Sequence, residues 1–331
     1  MSAATPTCQL LERQNADYRG WLWVAPPRDP WLEEDSGQLW SADLGVCEAW
    51  RGRGMNVYCS LEPTIGDMPG AVLFWPKAHA LGEWWLLALC AQLPEGTRLQ
   101  VVGENQGGIK HVLKVLAALG LGCRKLDSAR RCTLFETRLG RVDLAADAAW
   151  STFEALDLQL ASHPGVFGHG KLDDGTRLLL ELLPETPGRA SQRVLDVGCG
   201  DGIIAAWLAR RGDDVTALDI NAFAVEATRR TLALNGLSGA VQHSDVYSAL
   251  AEGQRFDAII SNPPFHQERA IDYGPVARLI GEAPARLVKG GSLTLVANAF
   301  LPYPDRLQAA FGGFEILADD RRFRVYRAVK H

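Results

Sequence analysis

Strand and helix signals alternate along the second half of this 331-residue chain. Short apolar runs predict strands, and glycine or asparagine residues mark where the intervening helices begin or end. The strands are expected at 193–197, 215–218, 240–243, 256–261, 292–297, 314–317 and 323–329, and the helices at 203–211, 221–234, 275–288 and 304–311. Helices between successive strands make those strands parallel, whereas the short polar turn before the last strand predicts an antiparallel pair. The second half is therefore expected to form a doubly wound, mostly parallel α/β sheet.

The first half carries a weaker version of the same pattern. A predicted strand at 99–102 leads into the glycine-rich stretch 103–108 and then into a helix at 109–119. In the second half, the strand at 194–197 also leads into a glycine-rich stretch and a helix, and the spacing of about ninety residues suggests an internal duplication. The alternative is that glycine-rich turns recur in any α/β protein.

The length and composition fit two globular domains. Hydrophobic residues make up 47% of the chain and charged residues 22%, which is typical of a soluble globular protein. We expect domains at 1–150 and 151–331, with a bridging helix at about 145–160. The net charge of −5 gives no support for nucleic-acid binding, so only local basic clusters could serve that purpose.

The cysteines and the apolar runs exclude several classes of protein. The seven cysteines are scattered and contain no C-x-x-C pair, so they predict neither a disulfide framework nor a zinc site. The chain shows no secretory signal and no apolar run that is long enough to span a bilayer. We therefore expect reduced thiols, no metal, no membrane partner and a cytoplasmic location.

Glycines and acidic residues lie where three of the predicted strands end. The turn at 196–202 contains Gly198 and Gly200, which allow a tight turn and close approach of a ligand to the backbone. Its G-x-G-x-G spacing differs from the G-x-G-x-x-G fingerprint of dinucleotide-binding folds. Asp219 ends the next strand, where a carboxylate can bind both hydroxyls of a ribose, and Asp245 follows the third strand, where it can meet an adenine amino group. These positions converge on the carboxyl edge of the sheet, where open α/β folds bind ligands.

The fourth strand ends in the tetrapeptide Asn262-Pro263-Pro264-Phe265. Both prolines have a fixed φ and no N–H to donate, and Pro263 keeps Asn262 out of the helical region. The result is a rigid ledge with one amide side chain, outward-facing carbonyl groups and one aromatic ring. Such a ledge can hold a planar amino group and stack on the ring that carries it.

With these residues, the second half resembles the class I S-adenosylmethionine-dependent methyltransferases. The tetrapeptide matches the catalytic motif of enzymes that methylate planar exocyclic or amide nitrogens, so Asn262, Pro263, Pro264 and Phe265 are the implied catalytic residues. S-adenosylmethionine is the implied cofactor. Its implied binding residues are Asp196, Gly198, Cys199, Gly200, Asp219, Ile220, Asp245, Val246 and Asn262.

An upstream run narrows the resemblance. Pro164-Gly165-Val166-Phe167 is followed by Leu172-Asp173, Gly175-Thr176 and Leu178-Leu179-Leu180. Together with the first half, this run resembles the family of small-subunit ribosomal RNA guanine-N2 methyltransferases, type C. The stretch Gly168-His169-Gly170-Lys171 departs from the more polar Ser-Arg-Asp-like sequence expected there. The resemblance implies two tandem Rossmann-like, class I methyltransferase-type domains, of which the first is degenerate.

The implied activity is methylation of the exocyclic N2 amine of a specific guanine in 16S rRNA. The substrate would be the 30S subunit or an assembly intermediate, and the enzyme would be a monomer. The ledge alone leaves other acceptors open, namely a guanine of 23S rRNA, adenine N6 or a protein glutamine amide. A further alternative is an RNA-binding assembly factor that retains the cofactor site, which the intact Asn262 motif disfavours. We expect His266 to be a loop or RNA-contact residue rather than the catalytic base.

The first half lacks the features of a cofactor site. It has no Asn-Pro-Pro-aromatic motif, and its glycine-rich stretch contains Glu104-Asn105-Gln106 where a cofactor would need close backbone approach. The later segment Gly122-Cys123-Arg124-Lys125 offers no acid for a ribose. We expect a domain that kept the fold, lost the cofactor and positions RNA. Its candidate phosphate contacts are Arg124, Lys125, Arg130 and Arg131.

Overall fold

The computed structural model describes residues 2–32, 37–143, 148–184, 191–263 and 274–331. It divides into two compact units, Met1–Ala149 and Trp150–His331. Within the described residues, no helix is both long enough and apolar enough to cross a membrane.

The first unit is one seven-stranded sheet with helices. Its strands are β1 (Leu22–Val24), β2 (Gln38–Trp40), β3 (Val57–Tyr58), β4 (Gly70–Phe74), β5 (Arg98–Glu104), β6 (Arg124–Ala129) and β7 (Cys132–Arg138). Its helices are α1 (Pro6–Glu12), α2 (Leu44–Arg51), α3 (His79–Gln92) and α4 (His111–Ala118). The strand order is β3-β2-β1-β4-β5-β7-β6, in which β7 runs antiparallel to both of its neighbours.

The second unit begins with a hairpin and then repeats this architecture. The hairpin consists of β8 (Ser151–Ala155) and β9 (Leu158–Ser162). The sheet strands are β10 (Arg193–Val197), β11 (Asp214–Asp219), β12 (Ala240–His243), β13 (Phe256–Ser261), β14 (Leu287–Asn298), β15 (Glu315–Asp319) and β16 (Phe323–Val329). The helices are α5 (Asp174–Glu181), α6 (Ile203–Arg210), α7 (Ala222–Leu234), α8 (Gly274–Arg286) and α9 (Tyr303–Phe311).

The second sheet has the order β12-β11-β10-β13-β14-β16-β15, which is the order of the first sheet strand for strand. The strands β10 to β14 are parallel where they pair, and β16 is antiparallel to β14 and β15. The antiparallel terminal pair was predicted from its short turn. The two tandem doubly wound domains expected from the sequence are therefore confirmed.

The alignment between the two halves predicted from the sequence is wrong. Strand β5, which the glycine-rich pattern matched to β10, occupies the fifth place in its sheet and corresponds to β14. The true counterpart of β10 is β1, which is only three residues long. Because β1 leads into Pro26 and Pro27 rather than into glycines, the glycine-rich turn after β5 gave the stronger but misleading signal.

The bridging helix expected at 145–160 is also wrong. Residues 144–147 lie outside the described part of the chain, and the hairpin β8–β9 follows. Leu156 and Asp157 at its tip both have positive φ, 52° and 58°. Two consecutive left-handed residues form the type of tight turn that joins antiparallel strands, so the chain reverses here instead of continuing as a helix.

Alternate side chains of the second sheet belong to two apolar clusters. Leu195 and Ile259 are buried in one cluster, whereas their chain neighbours Val194 and Ile260 are buried in the other. Successive side chains of a strand point to opposite faces, so both faces of the sheet are covered. Each such aliphatic side chain contributes about 1.5–3 kcal/mol when it is fully buried. This core fixes the carboxyl edge on which the predicted site residues lie.

Candidate active site

The turn between β10 and α6 contains three glycines whose backbone has the left-handed conformation. Gly198, Gly200 and Gly202 have φ values of 79°, 56° and 84°. A Cβ on Gly202 would lie 2.8 Å from Cα of Thr228, so α6 and α7 approach too closely for any side chain there. A Cβ on Gly200 would meet nothing within 4 Å, so this glycine leaves open space in front of the backbone.

Asp219, at the end of β11, is connected to this turn. Its Oδ2 accepts a hydrogen bond from the Gly200 amide at 3.1 Å, and its Oδ1 accepts one from the Asn221 amide at 2.9 Å. Burial raises the pKa of Asp219, and these two amides oppose the shift. Each carboxylate oxygen keeps a further lone pair, so the group can accept bonds from two adjacent hydroxyls.

Asp196 lies one strand away and is fully buried. Neither of its carboxylate oxygens has a hydrogen-bond partner among the described residues. Burial raises its pKa well above the usual range, and the nearby Asp219 and Asp201 raise it further. A buried carboxylate without a partner is costly, so a cationic ligand nearby would stabilise its charged form.

Asp201 is the second buried acid of the turn. Burial raises its pKa to about 6, although its Oδ1 accepts a hydrogen bond from the Ile203 amide at 3.2 Å. Cys199, in contrast, is inert: burial raises the pKa of its thiol, and Thr228 donates a hydrogen bond to its sulfur at 3.1 Å. The side chain of Cys199 therefore serves as a small buried group that fits the turn, and it lines the cleft without a reactive thiol.

Asn262 follows β13 directly, and its side chain is fixed by α5. The amide nitrogen Nδ2 donates to Asp173 Oδ2 at 2.9 Å and to Thr176 Oγ1 at 2.7 Å. The preceding residue, Ser261, donates to the Val197 carbonyl at 2.6 Å and so joins the ends of β13 and β10. Pro263 is buried. The other two residues of the tetrapeptide, Pro264 and Phe265, lie outside the described residues, as does His266.

A cleft that is partly open to solvent brings the glycine turn and Asn262 together. Its lining includes Phe167, Lys171, Asp173, Thr176, Gly198, Cys199, Gly200, Asp201 and Asn262. Phe167 is 60% exposed, which is unusual for a large apolar side chain and leaves its ring available at the mouth of the cleft. The cleft therefore joins an amide, an aromatic ring and a glycine-lined backbone in one place.

Five of the predicted cofactor residues lie on the same edge but do not line this cleft: Asp196, Asp219, Ile220, Asp245 and Val246. Asp245 Oδ1 forms an ion pair with Arg278 of α8 at 2.6 Å. The Ile220 carbonyl lies 2.7 Å from His243 Nε2. Val246 has a φ of 54°, an unfavourable conformation for a β-branched residue. The Val246 carbonyl accepts a hydrogen bond from Ser244 Oγ at 2.9 Å, which helps to hold this strained turn.

The sequence did not predict that Asp173 and Thr176 contact Asn262. Their spacing is a helix-start signal, because the Asp173 side chain accepts from the Thr176 amide and caps α5. That signal locates the beginning of the helix, but the contact with Asn262 spans 89 residues and has no local signature. The ion pair of Asp245 with Arg278 was missed for the same reason.

The first unit carries none of these groups at the equivalent positions. The Ala25 amide donates to the Trp40 carbonyl at 2.9 Å, just as the Gly198 amide donates to the Leu218 carbonyl at 2.8 Å. This bond and the strand registers set the correspondence between the two sheets. Trp23, Ala25, Ser41 and Phe74 stand where the second unit has Asp196, Gly198, Asp219 and Asn262. The first sheet therefore lacks both acids and the amide, although the sequence reached that conclusion from the wrong segment.

Comparison with known proteins agrees with this architecture. Residues 157–327 match the model of the methyltransferase small domain, and residues 9–152 match that of the methyltransferase small domain N-terminal. The ribosomal RNA small subunit methyltransferase C of Chromohalobacter salexigens is 68% identical and covers 100% of this chain and 99% of its own length. The protein of the same name from Escherichia coli strain 55989 is 42% identical, with 99% of this chain and 98% of its own length covered.

A solved structure shares the two-unit fold. The T. thermophilus 16S rRNA N2 G1207 methyltransferase, RsmC, in complex with AdoMet and guanosine, superposes with a TM-score of 0.86 at 27% sequence identity. The match covers 99% of this chain and 92% of the other. By sequence and by fold, the chain belongs to the ribosomal RNA small subunit methyltransferase C family.

Proposed function

We propose that this protein transfers a methyl group from S-adenosylmethionine to the exocyclic N2 amine of one guanine in 16S rRNA, at the position that corresponds to G1207. The observation that carries the proposal is the Asn262 side chain, held by α5 at the edge of a cleft lined by Gly198 and Gly200. The side-chain oxygen of Asn262 can accept hydrogen bonds from the amine that is to be methylated, and the adjacent glycine turn leaves room for a bound cofactor.

The residues of the second unit fit S-adenosylmethionine. The open space in front of Gly200 admits a ligand close to the backbone, and the free lone pairs of Asp219 suit the two hydroxyls of a ribose. Asp196, buried without a hydrogen-bond partner among the described residues, suits a ligand that carries positive charge. Asp245, Val246 and Ile220 are proposed to border the adenine. When bound, the cofactor supplies a methyl group on a positively charged sulfur. A nitrogen lone pair can attack this methyl carbon, and the sulfur is the leaving group.

The role of the ledge follows from the electronic structure of the acceptor. The lone pair of a guanine N2 amine is delocalised into the ring, so the amine is a weak nucleophile. Asn262 Oδ1 and the Pro263 carbonyl are proposed to accept its two N–H bonds and to draw the nitrogen toward a tetrahedral geometry. The nitrogen becomes positively charged when it gains the methyl group and then releases one N–H proton to water, and the product keeps the other. Orientation of this kind can lower a barrier by several kcal/mol.

Stacking completes the proposed base site. Phe265 is proposed to stack on the extruded guanine, which contributes about 1–3 kcal/mol per base in single-strand binders. The same chemistry would serve adenine N6, a 23S guanine or a glutamine amide. Membership of the small-subunit family favours the 16S guanine over these acceptors.

The first unit is proposed to position RNA, and its basic residues divide into two sets. Arg124 is engaged by Glu136 at 2.7 Å, and Arg98 binds the same carboxylate at 2.7 Å. Arg130 and Arg131 instead form the exposed turn between β6 and β7, next to the carboxyl end of β5. We assign phosphate contact to Arg130 and Arg131, and a structural ion pair to Arg124. Lys125, exposed on β6, stays a proposed phosphate contact. The two domains are proposed to span residues 1–150 and 151–331. The protein is also proposed to be cytoplasmic and to act as a monomer.

The test is methyl transfer from tritiated S-adenosylmethionine to naked 16S rRNA, 30S subunits and 50S subunits side by side, followed by identification of the modified nucleoside. The proposal expects label in 30S subunits or 16S rRNA, recovered as N2-methylguanosine. Label only in 50S subunits, or recovered as a methylated adenine, would replace the proposed acceptor with one of the alternatives.

A further inference from the structure

Both hydrogens of the Asn262 amide nitrogen have acceptors on α5. One lies toward Asp173 Oδ2 at 2.9 Å and the other toward Thr176 Oγ1 at 2.7 Å. The same Asp173 oxygen also accepts the backbone N–H of Thr176 at 3.0 Å. Thr176 is buried and Asp173 is half-buried, so the bond to Thr176 is the better shielded of the two from water.

This arrangement determines which end of the Asn262 amide faces the acceptor site. A side-chain amide has a donating NH₂ end and an accepting oxygen end, and the two ends have nearly the same shape. An ionised carboxylate can only accept hydrogen bonds, so Asp173 fixes the NH₂ end toward α5. Oδ1 is then left on the opposite side. If the amide turned over, its NH₂ would face the amine of the substrate, and two donors would oppose each other.

We propose that Asp173, assisted by Thr176, is a positioning residue that selects the accepting face of Asn262 for the substrate amine. The inference rests on the proposed function of Asn262 and adds the contact that orients the Asn262 amide for catalysis. Asp173 does not touch the reacting atoms; it acts through Asn262.

Helix capping alone does not account for the second contact. Asp43 caps α2 of the first unit in the same way, because its Oδ1 accepts the Val46 amide at 3.0 Å. The side chain at the equivalent of Asn262 in that unit is Phe74, which has no amide to orient. Asp43 follows β2 as Asn221 follows β11, so α2 corresponds to α7 and not to α5. Asp43 therefore shows only that, among the described residues, a cap of this geometry occurs without a bond to an amide side chain, whereas Asp173 combines the two.

Serine separates the two roles. Serine caps a helix about as well as aspartate does, but its shorter side chain cannot reach both the Thr176 amide and Asn262. Asparagine caps equally well, and its Oδ1 can still accept both N–H groups. The informative set is Asp173→Ser, Asp173→Asn and Thr176→Val, with Asp43→Ser as the matched control for loss of an aspartate cap.

The experiment measures kcat and KM for methylation of 16S rRNA or 30S subunits, S-adenosylmethionine affinity by calorimetry, and unfolding. Asp173→Ser is expected to lose about 10- to 100-fold in kcat, the effect of one lost hydrogen bond to a charged group. Its KM and cofactor affinity should stay within about threefold of the wild type, because its cap is retained. Asp173→Asn should recover most of the kcat, and Asp43→Ser should match the wild type.

A kcat for Asp173→Ser equal to that of Asp173→Asn would overturn the inference. If Asp173→Ser does not fold, Thr176→Val decides: the inference expects a lower kcat with normal cofactor affinity, and a wild-type kcat would refute it. Failure of the wild-type protein to methylate any guanine would instead refute the proposed function, so the two failures are distinguishable.

Discussion

The backbone amide of Gly200 donates a hydrogen bond to the carboxylate of Asp219 at 3.1 Å, so the glycine turn after β10 and the end of β11 form one structural unit. The turn therefore cannot move without disturbing the acid that is proposed to hold a ribose. In the first unit, Pro27 and Ser41 occupy these two positions. Pro27 has no N–H and Ser41 has no carboxylate, so this link cannot form there.

The first prediction concerns Asp219. Asp219→Ala should weaken S-adenosylmethionine binding by about 10- to 100-fold, because a carboxylate that accepts two hydroxyl bonds is lost. Calorimetry on the purified protein measures this directly. The control is Asp214→Ala, which removes an exposed acid from the opposite end of the same strand. Equal affinities for the two variants would refute the ribose assignment.

The second prediction concerns the glycine of closest helix approach. Gly202→Ala should destabilise the protein by about 2–4 kcal/mol, because it adds a Cβ against the backbone of Thr228 and a side chain at positive φ. Gly212→Ala is the control, since Gly212 has a φ of 94° but a Cβ added there would meet nothing within 4 Å. Gly212→Ala should lower the free energy of unfolding by only about 1 kcal/mol, which is the cost of placing an alanine at positive φ. Denaturant unfolding measures both, and similar losses would show that packing against α7 is unimportant.

The third prediction is a pH dependence set by Asp201. Its pKa is about 6 in the folded protein, against 3.8 for an unperturbed aspartate. A raised pKa means that the folded state binds the proton more tightly, so the stabilisation is complete below about pH 4 and is lost as pH rises through about 6. Asp201→Asn keeps the oxygen that accepts the Ile203 amide but cannot ionise. Relative to the wild type, this variant should gain about 2–3 kcal/mol between pH 4 and pH 7.

Unfolding of the cofactor-free protein at a series of pH values between 4.5 and 7.5 checks this sign. The difference in stability between Asp201→Asn and the wild type should increase with pH. A difference that stays constant or decreases over that interval would contradict the assignment of a raised pKa to Asp201.

The fourth prediction separates the basic residues of the first unit. Arg130 and Arg131 have φ values of 54° and 61°, so asparagine, which tolerates this conformation, is the appropriate replacement. Arg130→Asn combined with Arg131→Asn should weaken RNA binding and lower the salt dependence of log K by about 2. Arg124→Ala, which breaks the exposed ion pair with Glu136, should leave the salt dependence unchanged. Filter binding over a range of salt concentrations tests both variants. Equal slopes of log K against log salt concentration for the two variants would refute the proposed phosphate contacts.

Local patterns in the sequence were sufficient to predict most of the second sheet. Each of its parallel strands is a short apolar run with a glycine, asparagine or proline nearby, and the structure has strands at all seven predicted places. The boundary between α8 and β14 was less clear. The predicted helix extended to 288, but Leu287 already pairs with Phe256 in the sheet. Pairing between strands overrides helix propensity there, and the sequence around 287 does not reveal that partner.

Non-local relationships could not be predicted in this way. The bond between Asp173 and Asn262 joins residues that are far apart in the chain, and neither local sequence indicates the other. The equivalence of β1 with β10 was hidden because Trp23 and Ala25 replace the acid and the glycine that make β10 recognisable. Sequence patterns therefore predicted the groups that are proposed to carry the chemistry, and the structure added the contacts that these groups make.

The proposed role of Asn262 is tested by comparing Asn262→Ala with the wild-type protein in methyl transfer to 16S rRNA and 30S subunits. Asn298→Ala, at the end of the neighbouring strand β14, is the matched control. We predict that Asn262→Ala abolishes transfer while S-adenosylmethionine affinity stays nearly unchanged, and that Asn298→Ala remains active. Normal turnover by Asn262→Ala would contradict the proposed role of the ledge.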